Sequence, residues 1–304
     1  MTWSLAGACQ TGARPASNTS KARLFPFLTD LFAFFSRLRK KPPAEAPWRR
    51  LSLEGAMTPF VILFIASIWA GAQNALAGGG SFITLPSLML TGMDARAANI
   101  TSTVALFPAQ LVTGFTGRAH ADTPPGLTMT TLFVISLLGG AAGAVILILT
   151  PPTIFARLLP WLVLFATLIF AWGSFFREEP EAGEQRLSPL GAAIVQFFIA
   201  VYGGYFGGGI GFLMMASLTM AGLAVRRAGA AKNILAGVMN ASAVAIFAFS
   251  NDVHWMQAGI TAIGASFGGW AGALMLKTVN ETLLKLAVIA IGLLLTIGLF
   301  AKGS

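Results

Sequence analysis

Two glycine triplets inside apolar runs are the residues of this sequence best suited to binding a ligand. Gly78–Gly80 precede SFITLPSLML, and Gly207–Gly209 precede IGFLMMASLTM. A triplet ends a helix, because glycine loses more backbone entropy than other residues and has no side chain to pack. The helix that follows has free backbone N–H groups and a positive dipole end, which together bind anions. Two breaks at matching places predict a binding site, with tight helix packing by small residues as the alternative.

Polar side chains gather around both breaks, in segments that are otherwise apolar. Buried amides and hydroxyls are costly without partners, so they must face a cavity or another helix. The pattern favours a lined pocket, with helix-to-helix hydrogen bonds as the alternative. The predicted substrate-binding residues, triplets included, are Gln73, Asn74, Gly78, Gly79, Gly80, Ser81, Asn99, Thr101, Ser102, Tyr202, Tyr205, Gly207, Gly208, Gly209, Lys232, Asn233 and Asn240.

Lys232 has the most specific electrostatic meaning among these residues. It stands near the start of a helix that continues as ILAGVMNASAVAIFAF, so its charge needs a counter-ion or a route to water. It either neutralises a bound anion or extends to the membrane interface beside Arg226 and Arg227. No Asp or Glu lies deep in any apolar segment, which is unfavourable for a cation pore and favours an anion as the cargo.

Other chemistries lack the residues that they need. The sequence has one cysteine, Cys9, and two histidines, His120 and His254, in separate halves, so we expect no metal site. It contains no Walker sequence, no HExxH and no Ser/His/Asp set, which argues against ATP hydrolysis and intramembrane proteolysis. We therefore expect no enzyme activity and no cofactor.

The composition is that of an integral membrane protein. Of the 304 residues, 56% are hydrophobic and 10% are charged, whereas a soluble domain has about 25% charged residues. Residues 1–56 hold nine Lys/Arg and three Asp/Glu, so this tail carries +6 of the formal +9. Such a tail is typical of a segment at an anionic lipid surface rather than a nucleic-acid arm. Leucines and phenylalanines between residues 24 and 38 predict a short interfacial helix there, with a dispensable extension as the alternative.

Ten apolar segments must position the candidate site. We predict them at 58–77, 81–92, 95–115, 127–149, 154–176, 189–206, 210–223, 228–249, 254–276 and 281–301. The short segment that follows the first triplet is ten residues from Ser81 to Leu90, about 15 Å as a helix, which is half of a ~30 Å hydrocarbon core. The breaks are therefore expected near the middle of the membrane.

The order of segments is the same in both halves, which predicts an internal repeat. An offset of 129 residues aligns the triplets, and an offset of 130 places Arg226 opposite Arg96 and Lys232 opposite Ser102. The predicted fold is all-α and integral to the membrane, with a tail (1–56), a first repeat (57–177), a charged linker (178–188) and a second repeat (189–304). If the short segments complete a crossing, the repeats are inverted, and if they are re-entrant hairpins, the repeats are parallel. Arg96 is expected in a short loop with Asp94, which caps the helix that follows.

A resemblance to the TauE/SafE family of sulfite exporters is carried by AGGGSFITLP and ARAANITSTVAL in the first half, and by YFGGGIGFLMMASL, GAAKNILAGVMNASAVAIF and DVHW in the second. It covers about residues 57–301, and the long amino-terminal tail departs from the family pattern. The resemblance implies a bacterial inner-membrane permease, without a cofactor, for sulfur-containing anions such as sulfite, organosulfonates or related organic acids. The matching positions are the two triplets, Pro86, 99–102 and Lys232–Asn233.

The sequence thus predicts a secondary transporter of small anions that exposes a midplane site alternately to each side of the membrane. Its expected partners are the anion, the lipid bilayer and a proton as coupling ion, and no nucleic acid. We expect a multi-pass protein of the bacterial inner membrane. Two alternatives stay open: a non-transporting membrane subunit or scaffold whose glycines only pack helices, and an anion channel.

Overall fold

In the computed structural model of the protein, residues 53–76, 79–175, 185–275 and 281–303 are described, and all of them belong to one unit of the chain, Ala46–Ser304. These residues form ten α-helices and contain no strand. A 3-10 turn, Arg118–His120, follows the third helix. The helices are α1 (Leu53–Leu76), α2 (Ser81–Leu90), α3 (Ala95–Gly117), α4 (Met129–Leu149), α5 (Pro152–Phe175), α6 (Pro189–Tyr205), α7 (Ile210–Met220), α8 (Val225–Phe247), α9 (Trp255–Met275) and α10 (Glu281–Gly303).

The ten helices coincide with the ten predicted apolar segments, and the all-helical prediction is confirmed. The predicted interfacial helix and most of the charged linker lie outside the described residues. The Asp94 side chain accepts hydrogen bonds from the backbone N–H groups of Arg96 and Ala97, which confirms the predicted cap. Because that cap starts α3 at Ala95, the placement of Arg96 in a loop was wrong: it lies in the first turn of α3.

Small residues bring two pairs of helices into parallel contact. On α9, Gly264 lies against Ser67 and Gly268 lies against the backbone of Ile68, so α9 and α1 run in the same direction. On α4, Gly139 lies against Ala200 and Gly143 against Gly204, so α4 and α6 are also parallel. Glycines spaced four apart let helix backbones approach closely, as is common in membrane bundles.

The second short helix runs back beside the long helix that precedes it. The backbone N–H groups of Arg186 and Leu187 donate to the carbonyl of Met220 at 2.8 and 2.9 Å, which brings the end of α7 to the start of α6. At the other end of this pair, Gly203 lies against Ile210. Helices α6 and α7 are therefore antiparallel, with the glycine triplet at their closed end.

Helices α3 and α8 are antiparallel and pair near their centres. The side-chain amide of Asn240 donates to the side-chain oxygen of Gln110, and Gly114 lies against the backbone of Asn233. The start of α3 and the end of α8 therefore share one end of the bundle, which we call the Arg96 face. The start of α8 and the end of α3 share the opposite end, the Arg227 face.

The outer surface is suited to lipid. Three helices, α4, α5 and α8, are long and apolar enough to cross a membrane, judged from length and composition over the described residues. Large apolar side chains such as Val112, Phe115 and Phe198 are more than 60% exposed, which a bilayer tolerates and water does not. Buried phenylalanines fill the interior between the helices, including Phe82, Phe155, Phe170, Phe206 and Phe247.

Candidate functional site

The second glycine break leaves the start of α7 open. Gly207 and Gly209 adopt left-handed backbone conformations, with φ of +79° and +75°, which glycine alone adopts without strain. Gly209 caps α7, and no side chain caps the helix with it. The N–H of Phe212 donates to the Gly209 carbonyl at 3.2 Å. Among the described residues, no acceptor is paired with the N–H groups of Ile210 and Gly211.

The Lys232 ammonium lies beside this open helix start. A Cβ placed on Gly211 would be 3.7 Å from the Lys232 Nζ, and no described carboxylate forms an ion pair with it. The helix start and the ammonium are both positive, so they repel each other in the absence of an anion. The Lys232 charge thus points into the bundle at the second break.

The open start of α7 lies at the level where α3 and α8 pair. Gly203 contacts both Ile210 at the start of α7 and the side chain of Met239 on α8. Met239 directly precedes Asn240, which is bonded to Gln110 of α3. At 11 residues, α7 is about 16 Å long, half of a ~30 Å hydrocarbon core.

At the first break, side chains of the preceding helix, α1, form hydrogen bonds with the freed backbone groups. Gly79 has a φ of +81°, and its carbonyl accepts a 3.4 Å hydrogen bond from the Gln73 side chain. The N–H of Gly80 donates to the Asn74 side chain at 3.4 Å. The side-chain amides of two residues predicted to bind the ligand therefore satisfy the backbone of the break, while the side-chain oxygen of Gln73 is buried without a described partner. Gly78 lies outside the described residues.

The predicted repeat places Ser102 of the first half opposite Lys232 of the second. Its hydroxyl is bonded to the hydroxyl of Thr84 on α2, and Thr84 also donates to the carbonyl of Gly80. The contact between α2 and α3 in the first half is thus neutral, whereas the contact between α7 and α8 in the second half carries the positive charge of Lys232.

Both tyrosines lie at the second break, together with one residue of the first half. The Tyr202 ring packs against Phe165 and Phe206, and its hydroxyl is buried without a described partner. The Tyr205 carbonyl accepts a 3.1 Å hydrogen bond from the Asn99 side chain of α3. The second break therefore joins residues from both halves of the chain.

Other predicted site residues have structural contacts away from Lys232. The Thr101 hydroxyl accepts from the N–H of His254 and donates to the carbonyl of Asp252, so it holds the α8–α9 connection. Ser81 is the first residue of α2, and Gly208 lies against the Phe206 ring. Asn233 contacts α3 through its backbone.

Gln110 was not among the predicted substrate-binding residues. It is bonded to Asn240, which was predicted, and the two residues are 130 positions apart. Since 130 is also the offset of the predicted repeat, a polar residue at the position equivalent to Asn240 was the available signal for Gln110. Among the described residues, no group of three His, Cys, Asp or Glu side chains could hold a metal ion.

Known proteins match the sequence over most of its length. Residues 63–299 match the family described as sulfite exporter TauE/SafE. A "Probable membrane transporter protein" of Haemophilus influenzae is 29% identical over 242 residues, which are 77% of this chain and 92% of that protein. The "Probable membrane transporter protein ORF9" of a Sinorhizobium species is 26% identical over 79% of this chain and 91% of that protein. The "Probable membrane transporter protein YfcA" of Escherichia coli K12 is 23% identical over 76% and 85% respectively. No solved structure matches the sequence.

Proposed function

This chain belongs to the sulfite exporter TauE/SafE family of membrane transporters, and from that premise we propose that it is a secondary transporter of small anions. The proposed cargo is sulfite, a sulfonate or a related sulfur-containing organic anion. The protein is a multi-pass protein of the cell membrane, as its helices and its relatives indicate.

The observation that carries the anion proposal is the pairing of two positive groups at the second break. The Lys232 ammonium and the uncapped start of α7 face the same space, and no described carboxylate neutralises them. The two positive groups repel each other, and this repulsion is strong in a medium of low dielectric constant. An anion bound between them would be attracted to both groups and would offset the repulsion. An oxyanion could accept hydrogen bonds from the N–H groups of Ile210 and Gly211 and from the ammonium.

We infer that the two halves are inverted repeats that rock against each other. In support of this, the contact of α9 in the second half with α1 in the first half has a counterpart in the contact of α4 in the first half with α6 in the second half. Gln110 and Asn240, 130 residues apart, contact each other where the antiparallel helices α3 and α8 cross. Such an arrangement suits alternating access around a fixed central site.

A flux assay tests the function directly. We expect the full-length protein in liposomes to take up labelled sulfite or a small sulfonate with saturable kinetics. A panel of sulfur anions, with and without an imposed pH gradient, identifies the cargo and tests the proton as coupling ion. Linear, non-saturating flux would instead indicate a channel, and absence of flux for every anion would favour a non-transporting subunit.

Gly211→Ala tests whether the anion approaches the start of α7. The new methyl group meets Lys232 at ordinary contact distance, so we expect the fold to tolerate it. It would occupy space beside the ammonium, and we expect the half-saturation concentration to rise about tenfold, equivalent to ~1.4 kcal/mol of lost binding. Gly237→Ala is the matched control, because a Cβ there meets no atom within 4 Å. Equal half-saturation concentrations in the two variants would place the anion elsewhere.

A further inference from the structure

Two ion pairs hold opposite ends of the α3–α8 pair. Arg96, at the start of α3, pairs with Asp252 after the end of α8. Arg227, at the start of α8, pairs with Asp122 after the end of α3. The repeat offset of 130 relates Asp122 to Asp252 and Arg96 to Arg226, the neighbour of Arg227. The two pairs are therefore near-equivalents on the two faces of the bundle.

The pair on the Arg96 face joins three segments. One guanidinium nitrogen of Arg96 donates to both carboxylate oxygens of Asp252, at 3.0 and 3.1 Å. The other terminal nitrogen donates to the carbonyls of Ile148 and Thr150 at the end of α4, at 3.2 and 2.8 Å. The side chains of Arg96 and Asp252 are only 15% and 25% exposed. Thr101 holds the same connection through the Asp252 carbonyl, so this face is tightly closed.

The pair on the Arg227 face is open to solvent. The side chains of Arg227 and Asp122 are 63% and 45% exposed. The N–H of Thr123 and the Arg227 guanidinium hydrogen-bond the carboxylate and lower the pKa of Asp122 below its ordinary value of 3.8. Asp122 is therefore charged at neutral pH and available as a partner, but water screens its attraction to Arg227.

We propose that these two ion pairs are alternating latches: Arg96–Asp252 is largely buried here and holds its face closed, whereas Arg227–Asp122 is formed but exposed here and becomes buried when the Arg227 face closes. The proposal rests on the proposed transport function. Opening the Arg96 face requires the start of α3 to leave the end of α8, which separates Arg96 from Asp252. Gln110 and Asn240 join the two helices between their ends, so tilting the helices apart at the Arg96 face about this contact brings the start of α8 toward the end of α3. One ion pair is therefore released as the other becomes enclosed.

Cysteine accessibility tests this exchange in the full-length protein. In a Cys9→Ser background, Ser102→Cys reports on the Arg96 face, and Ala231→Cys reports on the Arg227 face. Both positions are buried, at 2% and 0% exposure. Ser102 follows Arg96 along α3, and Ala231 follows Arg227 along α8, so each reporter lies deeper in the bundle than the arginine of its face. The rate of reaction with a membrane-impermeant maleimide is measured in nanodiscs, where both faces are accessible.

The latches predict opposite responses. Asp252→Asn is expected to raise labelling at Ser102→Cys about fivefold, the effect of losing one modest interaction, and to lower labelling at Ala231→Cys. Asp122→Asn is expected to do the reverse. The double variant should return the ratio of the two rates toward that of the parent. A purely structural role for the pairs would raise labelling at both reporters in both variants, and that result would overturn the proposal.

Further variants separate the outcomes. If Asp252→Asn does not yield a monodisperse protein, Arg96→Lys keeps the charge but cannot reach the carboxylate and both carbonyls together, and it should shift the rates as Asp252→Asn does. If the two labelling rates shift in opposite directions but the protein shows no anion flux, the latches are supported and the transport function is rejected. Anion flux with unchanged labelling in folded latch variants would reject the latches alone.

Discussion

Lys232→Met is expected to lower the kcat/KM of anion transport about a hundredfold while the protein stays folded. The substitution keeps the length and the apolar stem of the side chain and removes only the charge. A hydrogen bond to a charged group is worth about 1.5–3 kcal/mol, and each ~1.4 kcal/mol is a factor of ten in rate or affinity. The variant also relieves repulsion between the ammonium and the start of α7, so its stability without anion should not fall. Initial rates of uptake into liposomes measure the effect.

Ser102→Ala is the matched control for Lys232→Met, because it changes the position that the repeat offset places opposite Lys232. Ser102 is bonded to Thr84, a neutral contact between hydroxyls, and its loss is expected to cost about 0.5–1.5 kcal/mol of stability. We expect the rate of uptake to stay within about threefold of the parent, since the activation free energy of transport should change by less than ~1 kcal/mol. Near-normal uptake by Lys232→Met with strongly reduced uptake by Ser102→Ala would move the site to the first break.

The helices and their order could be predicted from the sequence because the signals for them are local. The lengths of the apolar segments predicted the ten helices, and Asp94 indicated the start of α3. The backbone at Gly207 and Gly209 has positive φ, the conformation for which glycine is preferred. Each of these features depends on residues within a few positions along the chain.

The difference between the two breaks could not be predicted from the triplets, which are identical in sequence. It depends on whether nearby side chains can reach the freed backbone. Gln73 and Asn74 reach the first break, and their amides satisfy it. The corresponding place in the second half has Tyr202 and Tyr205, whose rings pack against phenylalanines instead. The two amides, one turn before the break, were therefore a signal for closure as much as for ligand binding.

The contacts between distant segments required the fold. Thr101 and Asn99 lie two residues apart in one polar stretch, yet Asn99 reaches the second break and Thr101 reaches the α8–α9 connection. Residues two apart on a helix face different directions, so a shared stretch does not imply a shared site. Only the antiparallel placement of α3 against α8 assigns each residue its partner.

The bundle combines two similar helix contacts between its halves, α1 with α9 and α4 with α6, with an asymmetric charge. Helices α3 and α8 contact each other through residues 130 positions apart, but Lys232 in one half replaces Ser102 in the other. A neutral pair at the first break and a cation at the second break would draw an anion toward α7. In the proposed site, the neighbours of the anion are therefore the tyrosines and Asn99 rather than Gln73 and Asn74.

Gly268→Ala is expected to prevent stable folding, whereas Gly259→Ala on the same helix is expected to be harmless. A Cβ on Gly268 would lie 1.8 Å from the carbonyl oxygen of Ile68, so α9 and α1 would have to separate along their contact. Overpacking against side chains costs about 1–3 kcal/mol, and backbone has less freedom to move than side chains, so we expect a larger loss here. A Cβ on Gly259 meets no atom within 4 Å, and alanine in a helix is favoured over glycine by up to about 1 kcal/mol.

The same comparison can be repeated at the second parallel contact between the halves, which tests the packing of α4 against α6. A Cβ on Gly143 would lie 2.0 Å from the Val201 carbonyl oxygen, whereas one on Gly237 would be unobstructed. The yield of monodisperse protein and the temperature of unfolding in detergent measure all four variants. We expect Gly143→Ala to behave like Gly268→Ala, because both glycines lie where two parallel helices touch. Equal unfolding temperatures within either pair of variants would show that those helices do not pack through their glycines, and the rocking of two similar halves would lose its structural basis.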